Sequence, residues 1–348
     1  MNPALTVRTL TDGGQSAADV AGWIAAFLDG AQRSLDLAQY DFHLDGEARD
    51  LVAAAIEGAA ARGVRIRFVY NVDHRNPIPV PPPPEPDVQL IATLPVEGKA
   101  AAGVPDLMHH KYVVRDGNSV WTGSMNWSVD SFTRQENVVV IVDSPEIAAA
   151  FAEDFDQVWR CDEVEHTGFV DPVWHDGVRA WFTPGHGEDL SHRIAKRIGV
   201  ARRRVRICSP VITTGPVLGT LAEVISEGRI DIAGCVDLTQ IRSVVYQWTQ
   251  DGAVSWKLPL LRRVMAGPFT GKPSTPWEPE GSLHDFMHAK VTVADDTVFV
   301  GSFNLSRSGE KNAENVLEIE DAELAEQLAA FVDGVRVKYP RVDIGGVA

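Results

Sequence analysis

Residues 108–126 read MHHKYVVRDGNSVWTGSMN. His109 is followed after one spacer by Lys111 and after four more by Asp116, and the stretch ends on Gly123-Ser124-Met125-Asn126. Residues 287–304, MHAKVTVADDTVFVGSFN, repeat this grammar with His288, Lys290, Asp295 and Gly301-Ser302-Phe303-Asn304. Ten residues beyond each closing Asn stands a Glu-Asn pair, Glu136-Asn137 and Glu314-Asn315. With 10 His in 348 residues, and Lys and Asp as frequent as they are here, H-x-K-x4-D is expected roughly 0.02 times by chance. Two copies with the same tail mark an internal duplication.

Strand geometry gives each copy its chemistry. Lys111 to Val114 and Lys290 to Val293 are β-branched runs, and a period of two places the His and Lys of H-x-K on one face. An imidazole and an ammonium then point into one space. The Gly of GSxN permits a tight turn at a strand end, while Ser and Asn add a hydroxyl and an amide. Lys, Ser and Asn suit the non-bridging oxygens of a phosphoryl group, and His serves as nucleophile or general acid.

On these residues the chain resembles the phospholipase D superfamily, whose members carry paired H-x-K-x4-D and GSxN elements. The resemblance implies an α/β class, duplicated phospholipase D-like fold. Two mixed β-sheet lobes flanked by helices would be related by a pseudo-two-fold axis, with both motifs in one active site. It further implies a metal-independent phosphodiesterase that works through a phosphohistidine, with no cofactor. By the tendency of two-motif relatives His109 is expected as nucleophile and His288 as acid. Glu136 and Glu314 are expected to accept a hydrogen bond from each His Nδ1 and fix its tautomer, as carboxylates do in triads. Lys111, Lys290, Asn126, Asn304, Ser124 and Ser302 form the expected phosphate-binding set, and Asp116 and Asp295 are expected to be structural. MHHK, GSMNW and the stripe of Phe151, Phe155 and Trp159 are similar to the small metal-independent bacterial nucleases and the related mitochondrial-type nuclease. Those have one motif per chain and dimerise; this chain holds both, so a monomer with a pseudo-dimeric site is expected.

Outward from the motifs, helical and strand periodicities alternate. Ala17 to Leu28 and Asp45 to Ala61 read as helices around the strand Ser34 to Tyr40, with Val64 to Tyr70 as a further strand and Pro145 to Trp159 as a closing helix. The second half repeats the plan, with strands Val205 to Ser209 and Ile230 to Val236 between helices Leu190 to Ile198, Pro216 to Ser226 and Ala322 to Val332. Lobes of 1–170 and 171–348 follow. Residues 76–87, NPIPVPPPPEPD, break the pattern as a stiff extended loop. Residues 237–283 form a long insertion with Tyr246, Trp248, Trp256 and Trp277 among basic residues, expected to be a substrate-shaping lid or a small local core. Arg202-Arg203-Arg204 is expected as a solvated turn. His110 should face away from His109 by alternation, and His166, His175, His186 and His192 show no metal-ligand spacing, so no metal is expected.

Composition bounds the function classes. No run of 18 apolar residues occurs, so no transmembrane helix is predicted. The opening MNPALTVRTLTDGG lacks a basic region followed by an apolar one, and a cytoplasmic protein is expected. Cys161, Cys208 and Cys235 read as free thiols. Net charge is −16, with 12 basic and 25 acidic side chains in residues 1–170 and 20 and 23 in residues 171–348. The motif details make single-stranded nucleic acid the first expected substrate, although such acidity runs against a basic footprint for a polyanion. The alternative is a phospholipase D or phosphatidyltransferase, cardiolipin synthase-like, acting on phospholipid headgroups.

Overall fold

A computed structural model describes residues 4–73, 87–275 and 284–344 of the chain. The proline-rich stretch 76–87 lies outside these residues except for Asp87, as does Trp277. Two mixed sheets carry the same strand order. The first runs Ala4–Leu10, Gln135–Asp143, Ser119–Gly123, Lys111–Arg115, Ser34–Gln39, Arg65–Val72, Glu97–Ala102. The second runs Val178–Thr183, Glu314–Glu320, Thr297–Gly301, Val291–Ala294, Arg204–Ser209, Asp231–Asp237, Phe269–Lys272. In each, the strand carrying the motif Lys or directly following it lies antiparallel to the next strand in the order, Ser34–Gln39 or Arg204–Ser209, which pairs parallel with its other neighbour. The duplication inferred from the motifs is a duplication of the whole sheet.

Local sequence explains the element ends. Ser16 caps the helix Ala17–Asp29 in a reciprocal capping box with Asp19, Ser144 caps Pro145–Arg160 with Pro in its first turn, and Asp321 caps Ala322–Arg336 at the matching place. The last two helices lie where the halves meet. One continuous core holds Val140, Phe151 and Phe155 of the first half with Phe182, Leu317 and Leu328 of the second. Burial of this apolar surface, at about 25 cal/mol per Å², couples the lobes.

The motif aspartates sit at the far end of their strands from the histidines. Asp116 accepts backbone N–H bonds from Gln32, Arg33 and Ser34 at 2.9, 2.7 and 2.9 Å, and Asp295 does the same for Arg202, Arg203 and Arg204 at 2.8, 2.9 and 3.1 Å. Both adopt positive φ, 56° and 55°. Each carboxylate ties down the turn that enters Ser34–Gln39 or Arg204–Ser209. The triple-arginine run leads into the second of these strands, with Arg203 paired with Asp296 and Arg204 with Glu326.

The described part of the 237–283 stretch, residues 237–275, supplies apolar residues to a local core. Helices Leu238–Gln250 and Leu258–Met265 bury Ile241, Val245, Leu261 and Val264, Trp248 packs against that cluster, and the strand Phe269–Lys272 completes the sheet. Only Tyr246 and Trp256, 57% and 60% exposed, remain as outward aromatics among its described residues.

Candidate active site

The two motifs meet because each His-bearing segment crosses to the other half. Met108 bridges to Ala313 in parallel, with His109 N–H donating to the Ala313 carbonyl at 2.8 Å and Ala313 N–H to Leu107 at 2.8 Å. In the mirror position, Phe286 and Met287 pair in parallel with Gln135 and Glu136. Strand hydrogen bonds therefore hold each imidazole against the opposite lobe. His109, Lys111, His288 and Lys290 are all buried. Each lysine folds back to donate to its own motif's His carbonyl, Lys111 to His109 at 2.8 Å and Lys290 to His288 at 2.7 Å.

The four groups act on one another electrostatically. Burial first, then Lys111 and Lys290, holds the His109 imidazole well below its ordinary range. Burial, Lys290, Lys111 and His109 do the same to His288. Burial draws Lys111 down to about 7 against the opposing pull of Glu314 and Asp41, and pushes Lys290 well below an ordinary ammonium. The site thus carries less positive charge than its residue types suggest, and a phosphodiester anion beside the lysines would favour their charged forms. Asn126 and Asn304 each hold a buried Oδ1 with no protein partner among the described residues, an acceptor that calls for a proton donor, while their amide N–H groups are what could serve a phosphoryl oxygen.

The carboxylates depart from the sequence expectation. His109 Nδ1 lies 2.8 Å from Glu314 Oε2, as expected, and burial raises that carboxyl to about 7 despite Lys111 and Lys290. His288 Nδ1 instead meets Asn137 Oδ1 at 3.0 Å. Glu136 is engaged elsewhere, with Lys272 Nζ at 3.0 Å and the Tyr339 hydroxyl at 2.5 Å. The cause is register. Ser124 N–H donates to Val138 O and Ser302 N–H to Asn315 O, while Asn137 faces Leu10 as Glu314 faces Thr183. Asn137 is therefore the structural counterpart of Glu314. The first copy has one residue more between GSxN and this strand, and a slip of one residue sends a side chain to the other face. The two Glu-Asn pairs, matched in sequence, are out of step in the fold.

Ser124 and Ser302 also differ from the expectation of phosphate binding. Both are fully buried. Ser124 Oγ donates to Asn137 Oδ1 at 2.7 Å and accepts from Val138 N–H at 3.0 Å, and Ser302 Oγ accepts from Asn315 N–H at 3.0 Å. Their hydroxyls fasten the adjacent strand. His110 faces away from the site, between Asn315 Oδ1 at 3.3 Å and Asp154 Oδ2 at 3.1 Å.

Two side chains at the site escaped the sequence reading. The Tyr40 ring lies 4.5 Å from that of His109 and 4.8 Å from Lys111 Nζ, and buried Asp41 is pushed up to about 7 by desolvation, opposed by Lys111. Their one signal was position, directly after the strand that pairs with Lys111–Arg115. Among the described residues the one grouping with metal-ligand proximity is Glu163, Glu165 and His166, all exposed.

Lys272, only 1% exposed, also contacts Asp12 at 3.2 Å and the Arg134 carbonyl at 2.8 Å. Lys272→Met strands a buried carboxylate, so it should cost about 3–5 kcal/mol of stability in urea unfolding. Lys272→Met with Glu136→Gln should recover most of that; a double variant no more stable than the single one would contradict the pairing.

A family model described as cardiolipin synthase, PLD-like domain, matches residues 24–159 and 194–335. Mitochondrial cardiolipin hydrolase of Xenopus laevis is 32% identical over 131 residues, 38% of this chain and 57% of that protein. Phospholipase D of Rickettsia conorii is 26% identical over 133 residues, 38% of this chain and 60% of that protein. The matched segment thus spans little more than half the length of these curated relatives. Phosphatidylserine synthase of Haemophilus influenzae shares the fold, with a TM-score of 0.65 and 11% identity over 95% of this chain and 86% of that one. With the model covering both halves and both sheets built to one plan, the chain belongs to the phospholipase D-like family.

Proposed function

We propose that the chain is a phosphodiesterase acting on phospholipid headgroups, the alternative in the sequence reading. The observation that carries the chemistry is the convergence of two buried His-Lys pairs from opposite lobes, with a carboxylate 2.8 Å behind one imidazole. His109 Nε2 attacks phosphorus with its lone pair, and the bond to the headgroup oxygen breaks with its electrons going to that oxygen. His288, which enters this step as its imidazolium, gives the oxygen its Nε2 proton, leaving a phosphatidyl group on His109. Water then attacks phosphorus, its proton passes to His288, and the P–N electron pair returns to His109. Lys111 and Lys290 hold the charge that gathers on the non-bridging oxygens.

The names of the curated relatives and of the family model support phospholipid as substrate. The net charge of −16 counts against a polyanionic strand, since counterion release rewards basic surfaces. The test offers phosphatidylglycerol and cardiolipin vesicles, and fluorescent single-stranded DNA, to the full chain and to His109→Ala in EDTA. Phosphatidate release by the wild type alone is expected, because the site supplies its own cations. DNA cleavage without phosphatidate would replace this reading with the nuclease one.

A further inference from the structure

We infer that Asn137 is a positioning residue that divides the labour between the two histidines: standing where the other half has Glu314, it reserves phosphoryl transfer for His109 and acid–base work for His288. The inference rests on the phosphodiesterase reading and extends it, since the duplicated motifs alone leave the two imidazoles interchangeable.

Three observations carry it. Asn137 and Glu314 occupy equivalent strand positions and contact the equivalent atom, Nδ1 of the His from the opposite lobe, at 3.0 and 2.8 Å. The Asn137 amide cannot turn freely. Its Oδ1 accepts from Ser124 Oγ at 2.7 Å, and its Nδ2 donates to the carbonyl and hydroxyl of Ser131 at 3.2 and 3.0 Å. An acceptor therefore faces His288, so Nδ1 carries hydrogen and Nε2 is the atom that gives and takes protons. Thirdly, the carboxylate that follows the motif in sequence, Glu136, is held away by Lys272 and Tyr339.

The consequence is chemical. When His109 bonds to phosphorus its ring becomes cationic, and the carboxylate of Glu314 stabilises that cation; an amide would do so far less. His288 needs the reverse property. Its proton must leave readily for the departing oxygen, and behind it lies a neutral dipole, with Lys290, Lys111, His109 and His284 as the charged or titratable neighbours that oppose its cationic form.

The test swaps the two partners. Wild type, Asn137→Asp, and the double variant Asn137→Asp with Glu314→Gln are mixed with bis(p-nitrophenyl) phosphate, denatured at alkaline pH, and the labelled peptides mapped by mass spectrometry. Label is expected on His109 alone in the wild type, on both histidines in the single variant, and chiefly on His288 in the double one. Wild-type label on His288, or a label site indifferent to where the carboxylate sits, overturns the inference. Titration of the His288 ring by NMR, without substrate, gives a second reading. Asn137→Asp should raise its midpoint by about one to three pH units, and an unchanged midpoint also overturns the inference. If no phosphodiester is cleaved and no label forms, the functional reading has failed, and the NMR shift still decides whether position 137 controls His288.

Discussion

His109→Ala lowers turnover by about 10⁴-fold or more with every leaving group, because loss of a covalent nucleophile cannot be made good by a better one. His288→Ala behaves differently. General acid catalysis is worth about 10²–10⁴-fold, and that contribution shrinks as the leaving oxygen becomes more acidic. With a p-nitrophenyl phosphodiester the His288→Ala protein should release close to one equivalent of p-nitrophenolate in a burst and then stall, since no base remains to activate water. With a phospholipid, whose alcohol needs a proton, the burst disappears. Stopped-flow absorbance reads this directly. A burst in His109→Ala and none in His288→Ala would reverse the two roles, although both imidazoles are buried and flanked by the same two lysines.

The two copies of the motif are alike in their own residues, and the different roles expected for His109 and His288 rested on resemblance alone. The H-x-K spacing disclosed the shared face, the second lobe and its sheet, because a period of two and a repeated motif depend only on local geometry. Asp116 and Asp295 were likewise placed by the motif, and both bind a three-residue turn. The Glu-Asn pairs misled for a physical reason. Equal spacing from Asn126 and Asn304 is not equal register, and an added residue before the Gln135–Asp143 strand rotates Glu136 out of the site and Asn137 into it. Ser124 and Ser302 were misjudged because a hydroxyl serves a phosphate and a strand N–H equally well, and only the fold shows which is near. Tyr40 and Asp41 reach the site through pairing of the Ser34–Gln39 strand with Lys111–Arg115, a non-local contact that local spacing does not encode.

Lys111→Met and Lys290→Met should each lower kcat/KM by about 10²–10³-fold, the usual cost of removing one donor to developing charge. Their pH signature separates a charge role from a packing one. Burial draws Lys111 down to about 7 in the free protein, so its cation is present below that pH and is lost as pH rises through it. Because kcat/KM reports the free enzyme, it should fall on the alkaline side with a midpoint near 7. Burial and the lysines hold His288 well below its usual range, so as the acid it adds its own alkaline limb at lower pH. Glu314 and Asp41, raised to about 7, gain their charge as pH rises and act in the opposite sense; the alkaline limb nearest 7 is that of Lys111. A bound phosphodiester is an anion beside the ammonium and favours the charged form, so the limb in kcat should move to higher pH by about one unit or more. Lys111→Arg, whose guanidinium stays charged, should lose the limb while keeping part of the activity. Identical limbs in kcat and kcat/KM, or a limb that survives in Lys111→Arg, would mean that the titrating group lies elsewhere. A lysine whose charge is complete only when substrate is present spends its electrostatic stabilisation on the bound phosphoryl group, where the reaction needs it.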